Sequence, residues 1–298
     1  MNVLSLFDGI SCSRVALGDR VKTYYASEVD KYAIKIALKN YPDTIQLGDV
    51  RNIVIPDNID LLIGGSPCQD LSIAKKGRKG LDGERSGLFW EYVRILKEAK
   101  PKYFILENVA SMPKEAKEII SEALGVQPIM INASLVSAQN RKRLFWTNIK
   151  VEGLPEDRGI LLKDILQPDA EIDERMTSNG KAFCLDASYY KGSSAKHSIE
   201  KKNRTMVRLG HIGKSNAQAN RVYSTEGKAV PLSANGGGLG AKTGLYEVNG
   251  IRKLTPIECE RLQSLPDNYT EGISNTQRYK CLGNGFNVEV IKHILNFI

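Results

Sequence analysis

Over its first 150 residues the chain alternates between short apolar runs typical of buried strands and segments with the apolar spacing of helices. The runs predicted as strands are residues 3–7, 22–26, 44–47, 60–63, 103–106, 127–132 and 144–149. Helical spacing is found at 15–17, 32–38 and 86–98. This alternation predicts an α/β class of fold, a doubly wound, mostly parallel, Rossmann-like sheet with helices on both faces.

The pattern changes near Gln167, and from there to about residue 248 the chain is rich in Gly, Ser, Asn and Lys. Short β-like pieces occur at 221–223 and 243–248, and several aromatic and apolar residues lie among them. We therefore expect a second, smaller, irregular domain here. After it, Thr255-Pro256-Ile257-Glu258 predicts a helix start with a capping box, and residues 285–298 predict a final helix.

Composition narrows the classes of protein to which the chain can belong. Of its 298 residues, 42% are hydrophobic and 26% are charged, as in ordinary globular proteins. No apolar stretch reaches the ~20 residues of a membrane span, so an intracellular protein is expected. Five widely separated cysteines without a Cys-x-x-Cys pair favour reduced thiols over disulfides or zinc (Cys12, Cys68, Cys184, Cys259, Cys281). The net charge of +8 suggests a polyanionic partner.

Two motifs that follow predicted strands carry reactive groups. Ser66-Pro67-Cys68-Gln69 comes after the run 59–63, and Glu107-Asn108-Val109 comes after the run 102–106. The carboxyl ends of parallel strands meet at one edge of a sheet, so we expect the Cys68 thiol and the Glu107 carboxyl in the same crevice. A nucleophilic sulfur beside a proton-handling acid predicts covalent catalysis.

A glycine and two acidic residues at the ends of three successive strands predict a bound nucleoside. Gly9 lies at a strand-to-helix turn, where a ligand can approach the backbone closely. Glu28 and Asp49 follow at the next two strand ends, where they could accept from ribose hydroxyls and an adenine amine. Solvated strand-end carboxylates are the alternative interpretation for each residue taken alone.

Two basic groups are left with two interpretations each. The run Lys75, Lys76, Arg78, Lys79 and Arg85, interspersed with glycines, is either a basic lid over a phosphate backbone or a solvated loop. Arg141 and Arg143 precede an apolar run, and strand alternation puts them on one face. They either point at the same site or form a surface pair.

Together the motifs identify a family. Leu6-Phe7-Asp8-Gly9, the motifs at 65–69 and 107–109, Gln139-x-Arg141-x-Arg143, Arg261-Leu262-Gln263 with Pro266-Asp267, and Gly283-Asn284 occur in this order. The chain resembles the cytosine-C5 DNA methyltransferases of phage and bacterial type, with motifs similar to the de novo enzymes. One departure is that the first motif commonly carries a second glycine, whereas Ser11, Cys12 and Ser13 stand here.

The resemblance implies roles for individual residues. Cys68 is the nucleophile toward a flipped cytosine, Glu107 the acid that engages N3 and the exocyclic amine, and Arg141 and Arg143 support the base. The methyl donor is S-adenosylmethionine, which leaves as S-adenosylhomocysteine, and no metal is implied. The expected cofactor residues are Phe7, Asp8, Gly9, Glu28, Val29, Asp49, Val50, Ser66, Pro67, Leu88, Asn284 and Val288. The expected DNA contacts are Gln69, Ser72, Lys75, Lys76, Arg78, Lys79, Arg85, Gln139, Arg221 and Gly237.

The resemblance also implies an organisation and a setting. Residues 1–166 with 272–298 form the catalytic, cofactor-binding domain, and residues 167–271 form the target-recognition domain. Double-stranded DNA is the partner, a companion restriction endonuclease is left open, and no membrane is involved. We expect a monomer in the cytoplasm of a bacterial or phage-infected cell, associated with the nucleoid.

Two other functions compete with this interpretation. A transfer-RNA cytosine-5 methyltransferase of the same superfamily shares the Pro-Cys-Gln motif, but the glycine-rich, basic recognition segment favours duplex DNA. A catalytically inactive DNA-binding regulator is the second, and the intact Cys68, Glu107 and Arg143 argue against it.

Overall fold

The chain is represented by a computed structural model, which describes residues 1–67, 88–167, 177–178, 181–182, 208–211, 221–232, 243–247 and 251–298. It divides into two compact units. The first consists of Met1–Asn132, Lys142–Pro155 and Gly285–Ile298, and the second of Ala133–Arg141 and Glu156–Asn284. The assignment of a catalytic and a recognition role to domains with the limits given above stays a prediction.

The first unit is built on a seven-stranded sheet. Its strands are β1 (Asn2–Leu6), β2 (Thr23–Ser27), β3 (Ile45–Gln46), β4 (Leu61–Gly64), β5 (Tyr103–Val109), β6 (Ile129–Asn132) and β7 (Lys142–Thr147). They lie in the order β3-β2-β1-β4-β5-β7-β6, and β7 alone in this sheet runs antiparallel to its neighbours. The predicted α/β class and mostly parallel sheet are confirmed.

Seven α-helices lie in the described part of the chain. They are α1 (Cys12–Leu17), α2 (Lys31–Asn40), α3 (Phe89–Ala99), α4 (Lys114–Leu124), α5 (Pro256–Leu262), α6 (Asn275–Asn284) and α7 (Val288–Leu295). Helices α4 and α6 are missing from the elements predicted above, although Ala116, Ile120 and Leu124 of α4 recur every four residues and are buried. None of the described helices is long and apolar enough to cross a bilayer.

Burial of the central strands explains why their sequences are apolar throughout. In β4 every residue is buried, and in β1 every residue after the first is buried, as expected for parallel strands covered on both faces. Phe89 and Tyr92 of α3 and Trp146 of β7 join Leu62 in one hydrophobic cluster. The Trp146 indole satisfies its polar atom by donating from Nε1 to Ser121 Oγ at 2.9 Å.

The strand order reverses direction between β1 and β4. From β1 the chain proceeds outward through β2 and β3, then returns to place β4 on the other side of β1. Leu6 and Gly64 are paired in this register, so the segments that follow the two strands start side by side. A Cβ on Gly64 would lie 2.8 Å from the Leu6 carbonyl oxygen, which only glycine tolerates. Such a reversal is where open α/β sheets bind ligands.

The second unit contains the short strands and two helices. Strands β8 (Thr177–Ser178) and β9 (Lys181–Ala182) pair with each other, and β10 (Arg208–His211), β11 (Arg221–Tyr223), β12 (Leu245–Glu247) and β13 (Ile251–Lys253) form a four-stranded sheet. The strand-like pieces predicted at 221–223 and 243–248 correspond to β11 and β12. The segment Ala133–Arg141 is tied to this unit by backbone bonds, from Ala229 N to Ala138 O at 2.7 Å and from Asn140 N to Ala229 O at 2.8 Å.

Helix α5 starts with the predicted capping box. Thr255 Oγ1 accepts from the Glu258 N–H at 3.2 Å, and Glu258 Oε2 accepts from the Thr255 N–H at 2.9 Å. Pro256 occupies the first helical position, where its missing N–H costs nothing. Thr255 Oγ1 also donates to Gln167 Oε1 at 2.6 Å, so the cap secures a second segment of the chain.

We expect Thr255→Ala to lower the free energy of unfolding by roughly 1–2 kcal/mol, because the N–H of Glu258 loses its acceptor. Urea denaturation followed by circular dichroism measures the effect. Thr255→Ser keeps the hydroxyl and is expected to unfold close to the midpoint of the wild type. Equal midpoints for the alanine variant and the wild type would contradict the proposed contribution of the cap.

Candidate active site

Glu107 and Arg143 form an ion pair at the edge of the first unit's sheet. Glu107 is paired with Phe145 and Val109 with Arg143 in the β5–β7 ladder, so the two charged side chains are diagonal neighbours on one face. Arg143 Nε lies 2.8 Å from Glu107 Oε1, and the two side chains are 17% and 12% exposed. An ion pair this sheltered has a fixed geometry, unlike most surface pairs.

The backbone that leaves β4 packs directly against this carboxylate. A Cβ on Gly65 would lie 3.3 Å from Glu107 Oε2 and 2.8 Å from Cε1 of the Phe286 ring. Any larger residue would push against both groups. Gly65 therefore lets the chain pass close to Glu107 three residues before Cys68.

Asn108 fixes the next residue of the same segment. Its Nδ2 donates to Ser66 Oγ at 3.2 Å and to the Ser66 carbonyl oxygen at 3.4 Å, and its Oδ1 accepts from the Val109 N–H at 2.8 Å. Both Asn108 and Ser66 are buried. Buried polar groups satisfied in this way hold a segment in one conformation. The Glu107-Asn108-Val109 motif, expected after the strand, forms the last residues of β5, and its Asn108 anchors Ser66 in the motif after β4.

The two arginines expected to share a face lie in different units. Arg141 precedes β7 and belongs to the second unit, where it is buried and donates from Nη2 to the Gly283 carbonyl oxygen at 3.2 Å. Arg143 belongs to the first unit with Glu107. The structure brings Glu107 together with Arg143, and the role of Arg141 stays a prediction.

Glu28 connects the turns that follow β1 and β2. Its Oε2 accepts from the Gly9 N–H at 2.8 Å, and its Oε1 accepts from the N–H groups of Val29 and Asp30 at 2.7 and 2.8 Å. The adjacent Val29 is 70% exposed, an apolar side chain left in solvent beside a carboxylate. A carboxylate and an apolar surface therefore lie together at this end of the sheet.

The Asp8 carboxylate is directed into the protein. Oδ2 accepts from Ser11 Oγ and Oδ1 from Tyr24 Oη, each at 2.6 Å. Burial raises the pKa of Asp8 above its ordinary value, and the hydrogen bonds from the hydroxyls of Ser11, Ser5 and Tyr24 oppose that shift. Phe7, just before it, has a φ of 56°. Asp8 thus shapes its turn by side-chain bonds, and its N–H donates to the Ser27 carbonyl oxygen at 3.2 Å.

Asp49 caps a short turn and pairs with the next basic side chain. Arg51 Nη2 lies 2.5 Å from Asp49 Oδ2, and the Arg51 N–H donates to Oδ1 at 3.0 Å. The hydrogen bond from the Arg51 side chain lowers the pKa of Asp49 to about 2. Asp49 is therefore an anionic acceptor, and an incoming donor would share it with Arg51. Val50 is buried in the hydrophobic cluster.

The other expected cofactor residues have varied surroundings. Ser66 is buried and Pro67 is half-buried, both at the end of β4. Leu88 packs half-buried against the hydrophobic cluster at the start of α3. Val288 is fully buried in α7, whereas Asn284 is exposed at the end of α6 in the second unit.

Of the expected DNA contacts, Gln139 and Arg221 lie within the described residues. Cys68, Gln69, Ser72, Lys75, Lys76, Arg78, Lys79, Arg85 and Gly237 lie outside the described residues. Gln139 is fully buried in the second unit, where Nε2 donates to the Leu262 carbonyl oxygen at 3.3 Å and Oε1 accepts from the Leu232 N–H at 3.3 Å. Arg221 is half-buried at the start of β11. Contact of these residues with DNA stays a prediction.

Three residues at or near the site have no role in the sequence analysis. Asn108 could have been found, because it stands inside the motif that contains Glu107. Phe286 meets Gly65, and Tyr24 meets Asp8, only through the fold. No local pattern in the sequence signals either of these two contacts.

Known proteins resemble the chain over its whole length. Residues 1–298 match the family model of the C-5 cytosine-specific DNA methylases. The type II methyltransferase M.HhaI of Haemophilus parahaemolyticus is 33% identical over 317 residues, which cover 99% of this chain and 93% of that protein. The orphan methyltransferase M.SPRI of Bacillus phage SPR is 28% identical, with 99% and 96% covered.

Solved structures share the fold. The methyltransferase EhMeth of Entamoeba histolytica has a TM-score of 0.68 at 18% identity, with 100% of this chain and 97% of that chain covered. A putative DNA modification methyltransferase encoded within a prophage of E. coli has a TM-score of 0.64 at 21% identity, with 100% and 99% covered. The match along the whole sequence shows that the chain belongs to the C-5 cytosine-specific DNA methylase family and is a DNA (cytosine-5)-methyltransferase.

Proposed function

We propose that the enzyme transfers a methyl group from S-adenosylmethionine to C5 of a cytosine flipped out of a short duplex DNA site, through a transient bond to Cys68. The observation that carries the proposal is the Glu107 carboxylate, which is held by Arg143 at 2.8 Å and packed against Gly65. The chain that continues from Gly65 leads within three residues to the thiol.

Covalent addition of the thiolate makes C5 of cytosine reactive. C5 of cytosine is a poor nucleophile, because its electrons belong to the aromatic ring. When the Cys68 thiolate adds to C6, the electron pair of the C5–C6 double bond is released toward C5 and N3. Glu107 stabilises this charge by delivering a proton to N3 and accepts from the exocyclic amine, and Arg143 fixes the carboxyl group through Oε1.

The ring is restored by elimination. After C5 has gained the methyl group, a base removes the C5 proton, and the electrons of that bond reform the C5–C6 double bond. As this double bond forms, the C6–S bond breaks and its electron pair leaves with the sulfur, which restores the Cys68 thiolate. The target base must leave the duplex stack before either face of C6 or C5 can be reached.

The residues at the strand ends fit S-adenosylmethionine. Its ribose hydroxyls and adenine amine are donors, and Glu28 and Asp49 offer carboxylate acceptors. Each carboxylate oxygen has two lone pairs, so Glu28 Oε2 can accept a hydroxyl in addition to the Gly9 N–H. The exposed Val29 side chain provides an apolar surface for the adenine ring. When bound, the cofactor supplies a methyl group on a sulfonium, an electrophile that needs no metal ion, and leaves as S-adenosylhomocysteine.

Duplex DNA is the proposed partner, and the enzyme is proposed to work as a monomer in the cytoplasm, associated with the nucleoid. The basic, glycine-rich recognition segment supports DNA over transfer RNA. M.HhaI is named a type II methyltransferase and M.SPRI an orphan. A restriction-modification role with a companion endonuclease and a solitary role are therefore both compatible with the proposal.

Trapping tests the covalent step. Fluorine in place of the C5 proton blocks elimination, so a DNA fragment copied with 5-fluorocytosine is expected to form a complex with the enzyme that survives denaturing electrophoresis, provided that S-adenosylmethionine is present. Cys68→Ser is expected to form none, and the same fragment with ordinary cytosine serves as the control. A stable complex with Cys68→Ser, or trapping of transfer RNA in place of DNA, would contradict the proposal.

We expect Glu107→Gln to lower turnover by about 10²–10⁴, because the amide cannot handle the proton at N3. Methyl transfer from labelled S-adenosylmethionine measures turnover, and a gel-shift assay checks that DNA binding is kept. Glu118→Gln is the matched control, since Glu118 is an exposed glutamate on α4 whose Oε1 lies 3.5 Å from Lys114 Nζ. Near-normal turnover of Glu107→Gln would count against the role assigned to this carboxylate.

A further inference from the structure

The turn between β1 and α1 contains two strained residues that are not glycine. Phe7 has a φ of 56° and Ser11 a φ of 60°, both in the left-handed region that L side chains adopt at a cost in free energy. Ser11 is fully buried, and its carbonyl oxygen accepts the first backbone bonds of α1, from Arg14 and Val15. Such a conformation persists only where the surroundings impose it.

A buried chain of hydroxyls around Asp8 imposes it. Asp8 accepts from Ser11 Oγ through one oxygen and from Tyr24 Oη through the other, at 2.6 Å each. Because Tyr24 gives its proton to Asp8, Ser13 Oγ donates to Tyr24 Oη, at 2.5 Å. We call Asp8, Ser11, Ser13 and Tyr24 the Asp8 clamp. At least 94% of the surface of each of its residues is buried.

The Asp8 clamp shapes the backbone that carries Gly9. The Gly9 N–H binds Glu28, the carboxylate proposed to hold the ribose, and the Asp8 N–H donates to the Ser27 carbonyl oxygen at 3.2 Å. If the clamp is weakened, the strained turn can relax, and fewer molecules hold the binding-competent conformation. The apparent dissociation constant rises in inverse proportion to that fraction.

We propose that Tyr24 is a positioning residue for the S-adenosylmethionine site, acting through Asp8 and Ser11 to hold the strained turn in the conformation that binds the cofactor. Tyr24 reaches the turn from β2, and among the described residues its hydroxyl bonds to Asp8 and Ser13 and not to Gly9 or Glu28. The inference rests on the proposed function, because it presumes that this turn binds S-adenosylmethionine.

Tyr24→Phe removes only the hydroxyl. The ring stays, and so does its contact with the Arg14 guanidinium, whose central carbon lies 5.1 Å from the ring centroid. We expect the dissociation constant for S-adenosylmethionine, measured by calorimetry, to rise about tenfold, the factor typical of one buried hydrogen bond. KM for S-adenosylmethionine is expected to rise in parallel, whereas kcat at saturating cofactor stays within about twofold.

Three further variants make the test specific. Tyr25→Phe removes a hydroxyl from the neighbouring, partly buried tyrosine and is expected to leave the dissociation constant unchanged. Ser11→Ala, which loses the clamp bond but keeps the strain, is expected to weaken binding as Tyr24→Phe does. In the double variant Tyr24→Phe/Ser11→Gly, glycine adopts the left-handed conformation without strain. Its affinity is expected to recover toward that of the wild type.

The outcomes separate this inference from the proposed function. If the wild type binds S-adenosylmethionine and Tyr24→Phe binds it with the same affinity, the inference is overturned and the proposed function is left intact. A double variant that binds more weakly than Tyr24→Phe also overturns it, because Tyr24 then acts through stability and not through the strained turn. A wild-type protein that does not bind S-adenosylmethionine overturns the proposed function itself.

Discussion

The close pairing of β1 with β4 is the constraint on which the first unit depends. Gly64 lies against the Leu6 carbonyl oxygen at a distance that excludes any Cβ, so the two central strands can approach only with glycine at this position. The strand order reverses here, and both chain segments leave the sheet at the same edge. One segment carries Phe7 to Gly9, and the other leads to Cys68. The turn proposed to bind the cofactor and the segment Gly65 to Pro67 thus owe their proximity to one backbone contact.

Polar side chains then fix the positions of the groups that lie close together at this edge of the sheet. Asn108 holds Ser66, Arg143 holds Glu107, and Glu28 holds the turn at Gly9. In each case a group near the end of one strand binds a group near the end of the neighbouring strand. The order of the strands therefore determines which loops are held together. Since these bonds are sheltered from water, they are stronger and less easily exchanged than surface contacts. The described groups of the site are thus bound to each other and not only to the core.

The sequence allowed the α/β class, nearly all strands of the large sheet and the α5 cap to be predicted, because each has a local signal. Apolar residues in continuous runs or at every second position predict strands, and the residues Thr255 to Glu258 predict a capping box. The partners of Asp8 and Gly65 were not predictable, because Tyr24 and Phe286 meet them only through strand order and helix packing. For the same reason the placement of Arg141 apart from Arg143 is invisible to alternation, which assumes that both lie in one strand.

The reversed strand β7 has a consequence of its own. In the other strands of the sheet, the residues at the carboxyl end lie at the edge that carries the site. In β7 the first residues lie there, which is why Arg143 meets Glu107. The net charge at the site therefore depends on the pairing register of β7. A slip of β7 by a single residue would turn the guanidinium to the other side of the sheet and leave a carboxylate buried alone. Insertions or deletions before Lys142 must therefore be accommodated in the segment that precedes β7, because the pairing register of β7 cannot shift.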